Sequence, residues 1–202
     1  MSLQSPKNSF SIRILGTGSY VPPRVLSNAG LQEMGLNTTD EWIRKRTGIK
    51  ERRIADPDKA TSDLAYEAAV EALDDAGLSA ADLDLIILAT ITPDTCCPSG
   101  ANWLQSRLKA AQAVTFDITA ACSGFIFGLN VAEQYLRSGA CKYVMVAASE
   151  TMSRTLDWTD RTSCILWGDG AGAAILSGGD RGPEILSTHL HTDGEKGQDL
   201  LL

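Results

Sequence analysis

Apolar and polar positions along the chain alternate in a way that predicts interleaved strands and helices. The longest regular signal covers residues 62–76, where Leu64, Ala65, Ala68, Ala69, Ala72 and Leu73 recur at the spacing of one helix face. Ser62 stands at its start as a cap with Glu67 soon after, and Gly77 stops it. Residues 85–90 are an unbroken apolar run of strand length, as expected of a strand covered on both faces. Pro98-Ser99 then opens a helix running to 108. Residues 113–118 read as a short buried strand, 119–121 as a tight small-residue turn, and 123–137 as a helix closed by Gly139. Further strands are predicted over 11–15, 143–148 and 171–176, and further helices over 28–34 and 40–45. The sum is a mixed α/β sheet with helices on both sides.

That pattern places Cys122 where an apolar strand ends and a helix begins. Unpaired N–H groups and the positive end of the helix dipole favour a negative sulfur there, and the neighbouring Ala, Ser and Gly leave room for a substrate. By position alone, the ordinary reading of a buried structural cysteine stays ahead.

The 202 residues, 44% hydrophobic and 21% charged, can bury a substantial core, which excludes disorder. There is no apolar run of membrane-spanning length, and residues 1–8 are polar without a signal-peptide core, so a cytoplasmic protein is expected. Five cysteines (96, 97, 122, 141 and 164), odd in number and without a disulfide framework, fit a reducing compartment. A net charge of −7 argues against nucleic acid. One basic patch interrupts the acidic chain: Arg44, Lys45, Arg46, Lys50, Arg52 and Arg53, by default a solvated helix face and loop. His189 and His191 alternate along an apparent strand, but no acidic or cysteine partner stands at ligand spacing, so they are read as structural and no metal site is expected. Gly168-Asp-Gly-Ala-Gly lacks the dinucleotide-binding spacing and is read as tight turning and close packing.

Several separated segments share an order and spacing: Leu15-Gly-Thr-Gly-Ser-Tyr-Val-Pro, Thr39-Asp-Glu-Trp-Ile-Arg-Lys-Arg-Thr-Gly-Ile, Ala120-Ala-Cys-Ser-Gly-Phe, Asp160-Arg161, Gly168-Asp-Gly-Ala-Gly-Ala-Ala and Ser187-Thr-His-Leu-His-Thr-Asp-Gly. Together they resemble the β-ketoacyl-acyl-carrier-protein synthase III family, condensing enzymes of thiolase-type fold. The resemblance implies a layered α-β-α-β-α architecture of which this chain supplies the first half. Residues 1–10 are then a disordered leader, 11–180 the half-domain with the catalytic cysteine, and 181–202 the start of the connection to a missing C-terminal half. That half-domain alone would expose a large apolar face.

The resemblance further implies acyl transfer through Cys122, followed by Claisen condensation of a short acyl-CoA with malonyl-acyl carrier protein, in a homodimer, with acyl-CoA as substrate and no cofactor. Trp42 and Arg161 match positions that sandwich the adenine of coenzyme A, Arg46 a phosphate contact and Thr38 a minor polar contact. Part of the basic patch would then meet coenzyme A phosphates. Cys97 and Trp167 match positions of the acyl pocket, Cys97 from across the dimer. The small Cys97 argues for a longer or branched starter and the large Trp167 against it. Thr162 follows Arg161 where the family commonly has Gly, which changes the loop near coenzyme A. The family's catalytic His-Gln-Ala-Asn and Gly-Asn-Thr-Ser motifs do not occur in the 202 residues, so the chain alone is expected not to condense. Two other readings are a related condensing enzyme with a polyketide-like or signalling product, and an inactive half-domain serving association.

Overall fold

The computed structural model describes residues 11–197; the predicted leader 1–10 lies outside them. In chain order the elements are β1 (Ile12–Tyr20), β2 (Arg24–Ser27), α1 (Asn28–Glu33), α2 (Asp40–Thr47), β3 (Glu51–Ile54), α3 (Thr61–Ala76), β4 (Leu85–Ala89), α4 (Gly100–Leu108), β5 (Val114–Ile118), α5 (Gly124–Arg137), β6 (Tyr143–Thr151) and β7 (Asp169–Gly178). Five strands form one sheet in the order β1-β7-β6-β4-β5, and β2 and β3 make a separate antiparallel pair. Strands β5, β4 and β6 run parallel, while β7 pairs antiparallel with both β6 and the edge strand β1.

Alternation along β4 decides the layers. Ile86 and Leu88 enter one buried cluster with Leu73 of α3, Leu104 of α4 and Met145. Leu85 and Ile87 enter another with Leu136 of α5, Val144 and Val146. Both faces are therefore covered, as the unbroken apolar run required. The cover over α5 is incomplete: its Ile126 is 44% exposed and Tyr135 37%, beside Val114 on the edge strand at 62%. A third cluster gathers Leu31, Leu36, Ile43, Cys164 and Ile165 around α1 and α2.

Several predicted boundaries move. The first strand runs through Gly16 and Gly18 rather than stopping at 15, because these glycines pack against the backbone of α3. A Cβ at Gly18 would lie 2.1 Å from the Ala68 carbonyl oxygen, and one at Gly16 2.4 Å from the Ala76 nitrogen. Ser62 is not the cap of α3, and Glu67 is exposed. The N-cap is Ala60, whose N–H donates to Asp63 (2.6 Å), and the Ser62 hydroxyl donates to Asp94 instead. The strand predicted around His189 and His191 does not form; both side chains are exposed on irregular backbone, and His189 Nε2 lies 3.2 Å from Ser187 Oγ. Two-residue alternation there had no strand to act on, since regular pairing with β1 ends at the Arg13–Glu184 bridge.

Replacing Gly18 by Ala forces β1 away from α3. We expect a loss of about 1–3 kcal/mol in urea unfolding; an unchanged midpoint would show that the contact can relax.

Candidate active site

Three parallel strands deliver their carboxyl ends to one place, the usual location of a binding crevice in α/β sheets. After β5 the chain passes through a 3-10 turn, Ala121–Ser123, directly into α5. Cys122 thus sits two residues before the α-helix proper, and it is exposed rather than buried. Ala121 adopts φ 45°, a left-handed conformation costly for a residue with a Cβ. The turn is pressed onto the sheet from behind. A Cβ at Gly124 would come within 3.0 Å of the Ala89 side chain, and one at Gly128 within 2.7 Å of Val146 Cγ1.

Cys122 borders a cavity of about 650 Å³. Its walls come from the end of β4 (Ala89) and the segment after it (Ile91), from the end of β6 (Ala148, Glu150), from Phe125 of α5 and from Trp167. The lining is largely apolar, so the space suits an alkyl or acyl chain more than a sugar or phosphate. A thiol at the border of such a space can attack a thioester and leave the acyl chain in the apolar hole.

The two residues expected at the acyl pocket part company. Trp167 lines the cavity; Cys97 is exposed on the segment between β4 and α4 and does not line it in this chain. Cys97 lies three residues ahead of Gly100, and Gly100 and Ala101 donate their N–H groups to the carboxylate of Asp117 on edge strand β5 (2.7 and 2.8 Å). That carboxylate, not Ser99, satisfies the start of α4.

The nucleotide-binding candidates do converge. Trp42 and Arg46 are one turn apart on α2, and the guanidinium carbons of Arg46 and Arg161 lie 4.6 and 4.7 Å from the Trp42 ring centre. Arg161 also donates to the Asn37 carbonyl (2.9 Å) and borders a second hollow of about 260 Å³. Thr38 is buried beside them, and its hydroxyl makes no hydrogen bond among the described residues. The neighbouring Thr39 caps α2.

The basic patch is not uniform. Arg52 is 5% exposed and donates to Asn28 Oδ1 and to the Ile165 and Leu26 carbonyls, which makes it a core strut whose guanidinium burial pushes below the usual arginine value. Arg44 pairs with Asp40 and Arg53 with Glu51. Lys45, Arg46 and Lys50 remain exposed.

Sequence reasoning missed Glu150 and Asp157 among the lining. A polar residue ending the apolar run 143–148 was the available signal for Glu150. Asp157 had none, since it lies in the irregular loop between β6 and β7. In that loop Asp160 accepts from the Ser163 hydroxyl (2.6 Å) and from the Thr162 hydroxyl and N–H, which hold its carboxyl down at about 2.

The mixed five-stranded sheet with helices on both faces is a thiolase-like fold, and Cys122 stands at the border of its apolar cavity. The family model for 3-oxoacyl-[acyl-carrier-protein (ACP)] synthase III matches residues 116–194. A β-ketoacyl-[acyl-carrier-protein] synthase III of Xylella fastidiosa is 54% identical over 184 residues, covering 91% of this chain and 56% of the relative. The crystal structure of 3-oxoacyl-[acyl-carrier-protein] synthase III from Aquifex aeolicus superposes with a TM-score of 0.80 at 49% identity, covering 82% of this chain and 53% of that one. The priming β-ketosynthase of the R1128 polyketide pathway superposes at 0.82 with 38% identity, over 89% and 53%. Over most of its own length this chain is similar to β-ketoacyl-[acyl-carrier-protein] synthase III proteins, and it spans about half the length of the curated relatives it matches.

The Asp160 carboxyl should titrate with a midpoint near 2 in a carbon-detected NMR series. Because its folded value lies below the unfolded one of about 3.9, its stabilising effect is present above that value and disappears as pH falls toward 2. A midpoint near 3.9 would mean that the Ser163 and Thr162 bonds do not form in solution.

Proposed function

We propose that this chain carries the acyl-accepting thiol of an acyltransferase that starts fatty acid synthesis by condensing a short acyl-CoA with malonyl-acyl carrier protein. The observation that carries this reading is Cys122 at the border of the 650 Å³ apolar cavity. The Cys122 thiolate attacks the carbonyl carbon of the acyl-CoA thioester, forming a tetrahedral oxyanion. Collapse breaks the bond to the coenzyme A sulfur, which leaves and takes a proton, and the acyl group remains on Cys122 with its chain in the cavity. Backbone N–H groups near the turn are the candidates for oxyanion donors. Malonyl-acyl carrier protein then loses CO2, and its carbanion attacks the acyl-Cys122 carbonyl to give 3-oxoacyl-acyl carrier protein and the free thiol.

Trp42, Arg46, Arg161 and Thr38 are proposed to hold the nucleotide end of coenzyme A, with the adenine displacing one guanidinium from the Trp42 ring. Trp167 limits the acyl chain. Cys97 would meet that chain only from a second copy of the protein, which makes a homodimer part of the proposal. The medium proposed is the cytoplasm; among the described residues no helix is long and apolar enough to cross a membrane. A second reading, a priming condensing enzyme of a polyketide pathway, is supported by the superposition on the R1128 ketosynthase. It shares the nucleophile, and the acceptor that consumes acyl-Cys122 divides the two.

Peptide mapping after incubation with a radiolabelled short acyl-CoA should find the label on Cys122, and Cys122→Ser should abolish it. Label on Cys96, Cys97, Cys141 or Cys164 would overturn the assignment. Trp42→Ala and Arg161→Ala should each weaken acyl-CoA use by about 0.5–2 kcal/mol, and unchanged coenzyme A affinity in both would contradict the nucleotide site. The 202 residues expressed alone should not sustain decarboxylation of malonyl-acyl carrier protein, since neither the His-Gln-Ala-Asn nor the Gly-Asn-Thr-Ser motif occurs in them; sustained condensation would refute the carried-over mechanism.

A further inference from the structure

We propose that Glu150 is a positioning residue that sets the chain-length limit of the Cys122 cavity by holding its Ile91 wall. The inference rests on the reading that this cavity receives the acyl chain. Glu150 lies at the end of β6, half-buried, and lines the cavity together with Ile91. The ladder between β4 and β6 ends at the pair Ala89 and Ala148, so the segment that follows β4 is held to β6 by other means. Glu150 supplies them. Its Oε1 accepts from the Ile91 N–H (2.9 Å), and its Oε2 accepts from the Thr90 hydroxyl (3.1 Å), the Thr92 N–H (3.1 Å) and the Thr92 hydroxyl.

Two of these four donors are backbone N–H groups, which only donate, and the carboxylate gives each an acceptor oxygen. Thr92 has additional attachments: the Thr151 N–H donates to its hydroxyl (2.9 Å), and the Thr61 hydroxyl donates to its carbonyl. The backbone of Ile91 is held through Glu150 Oε1. E150M removes the acceptor altogether. The Thr92 N–H keeps the Thr90 hydroxyl as an acceptor (3.1 Å), whereas the Ile91 N–H has no other partner among the described residues. That N–H turns outward to find water and draws the wall away from Cys122.

The test uses the purified intact protein and two probes of different length, iodoacetamide and N-hexyl iodoacetamide, with alkylation of Cys122 followed by peptide mass spectrometry. The ratio of short-probe to long-probe rate constants should fall by about threefold or more in E150M. Ile91→Ala should lower it similarly, and E150M added to Ile91→Ala should change it little, because both act on one wall. A ratio that stays at the wild-type value in E150M while Ile91→Ala shifts it would overturn the proposal. So would a lowered thermal midpoint with no change in ratio, the result of a merely structural role. Should E150M not fold, Glu150→Asp, which draws the carboxylate back by one methylene, must still lower the ratio, and parity with wild type overturns the proposal. Acyl-CoA labelling of the unsubstituted protein separates the two readings: label absent from Cys122 sinks the function proposed above, whereas the probe ratio judges Glu150 independently.

Discussion

The site depends on one backbone constraint, the left-handed conformation of Ala121 at φ 45°. For a residue with a Cβ this costs on the order of 1–3 kcal/mol, so it persists only because its surroundings impose it. The parallel register of β4 and β5 aligns Ile118 with Ala89, and the Thr90 N–H donates to the Ile118 carbonyl (3.1 Å) just before the turn. On the other side, α5 lies against the sheet at Gly124 and Gly128, where any side chain would push it off. Strand and helix are both held, and the five residues between them reverse direction sharply enough to leave Cys122 at the cavity border.

The same economy governs the loops around that border. Four of the carboxylates that accept backbone N–H groups from segments distant in sequence are examples. Asp117 holds the start of α4, Glu150 the segment after β4, Asp94 the start of α3 at Ser62, and Asp169 both Ala55 and Ser153. Hydrogen bonds to charged groups are worth about 1.5–3 kcal/mol each, enough to order loops that contribute little apolar surface. This network explains why a crevice made from strand ends keeps a defined shape before any ligand arrives. It also separates the thiol region, built on the parallel strands, from the aromatic and basic region around Trp42, built on α2 and the loop carrying Arg161.

The layered core was legible in the sequence because it depends on periodicity. The apolar run 85–90 and the small-residue face of α3 announced a doubly covered strand and its helix. Cys122 was legible as a strand-to-helix junction, and Trp42, Arg46 and Arg161 through motif resemblance, since spacing alone cannot bring position 42 beside 161. What stayed hidden depends on tertiary contact. The predicted first strand stopped at 15, short of Gly16 and Gly18, whose backbone packs on α3. Arg52 read as one more surface cation, although its three acceptors lie 24, 26 and 113 residues away from it along the chain. The helix cap moved to Ala60 because Ser62 was taken by Asp94, a partner 32 residues away.

The central claim is that the turn, rather than exposure, singles out Cys122 among five free thiols. Cys96 and Cys97 are exposed as well and lie outside the turn. Substoichiometric N-ethylmaleimide at neutral pH, with the label quantified on every cysteine by peptide mass spectrometry, compares them directly. The account predicts that most of the label falls on Cys122. Label shared evenly among Cys96, Cys97 and Cys122 would contradict it, for exposure would then explain reactivity without the strained turn.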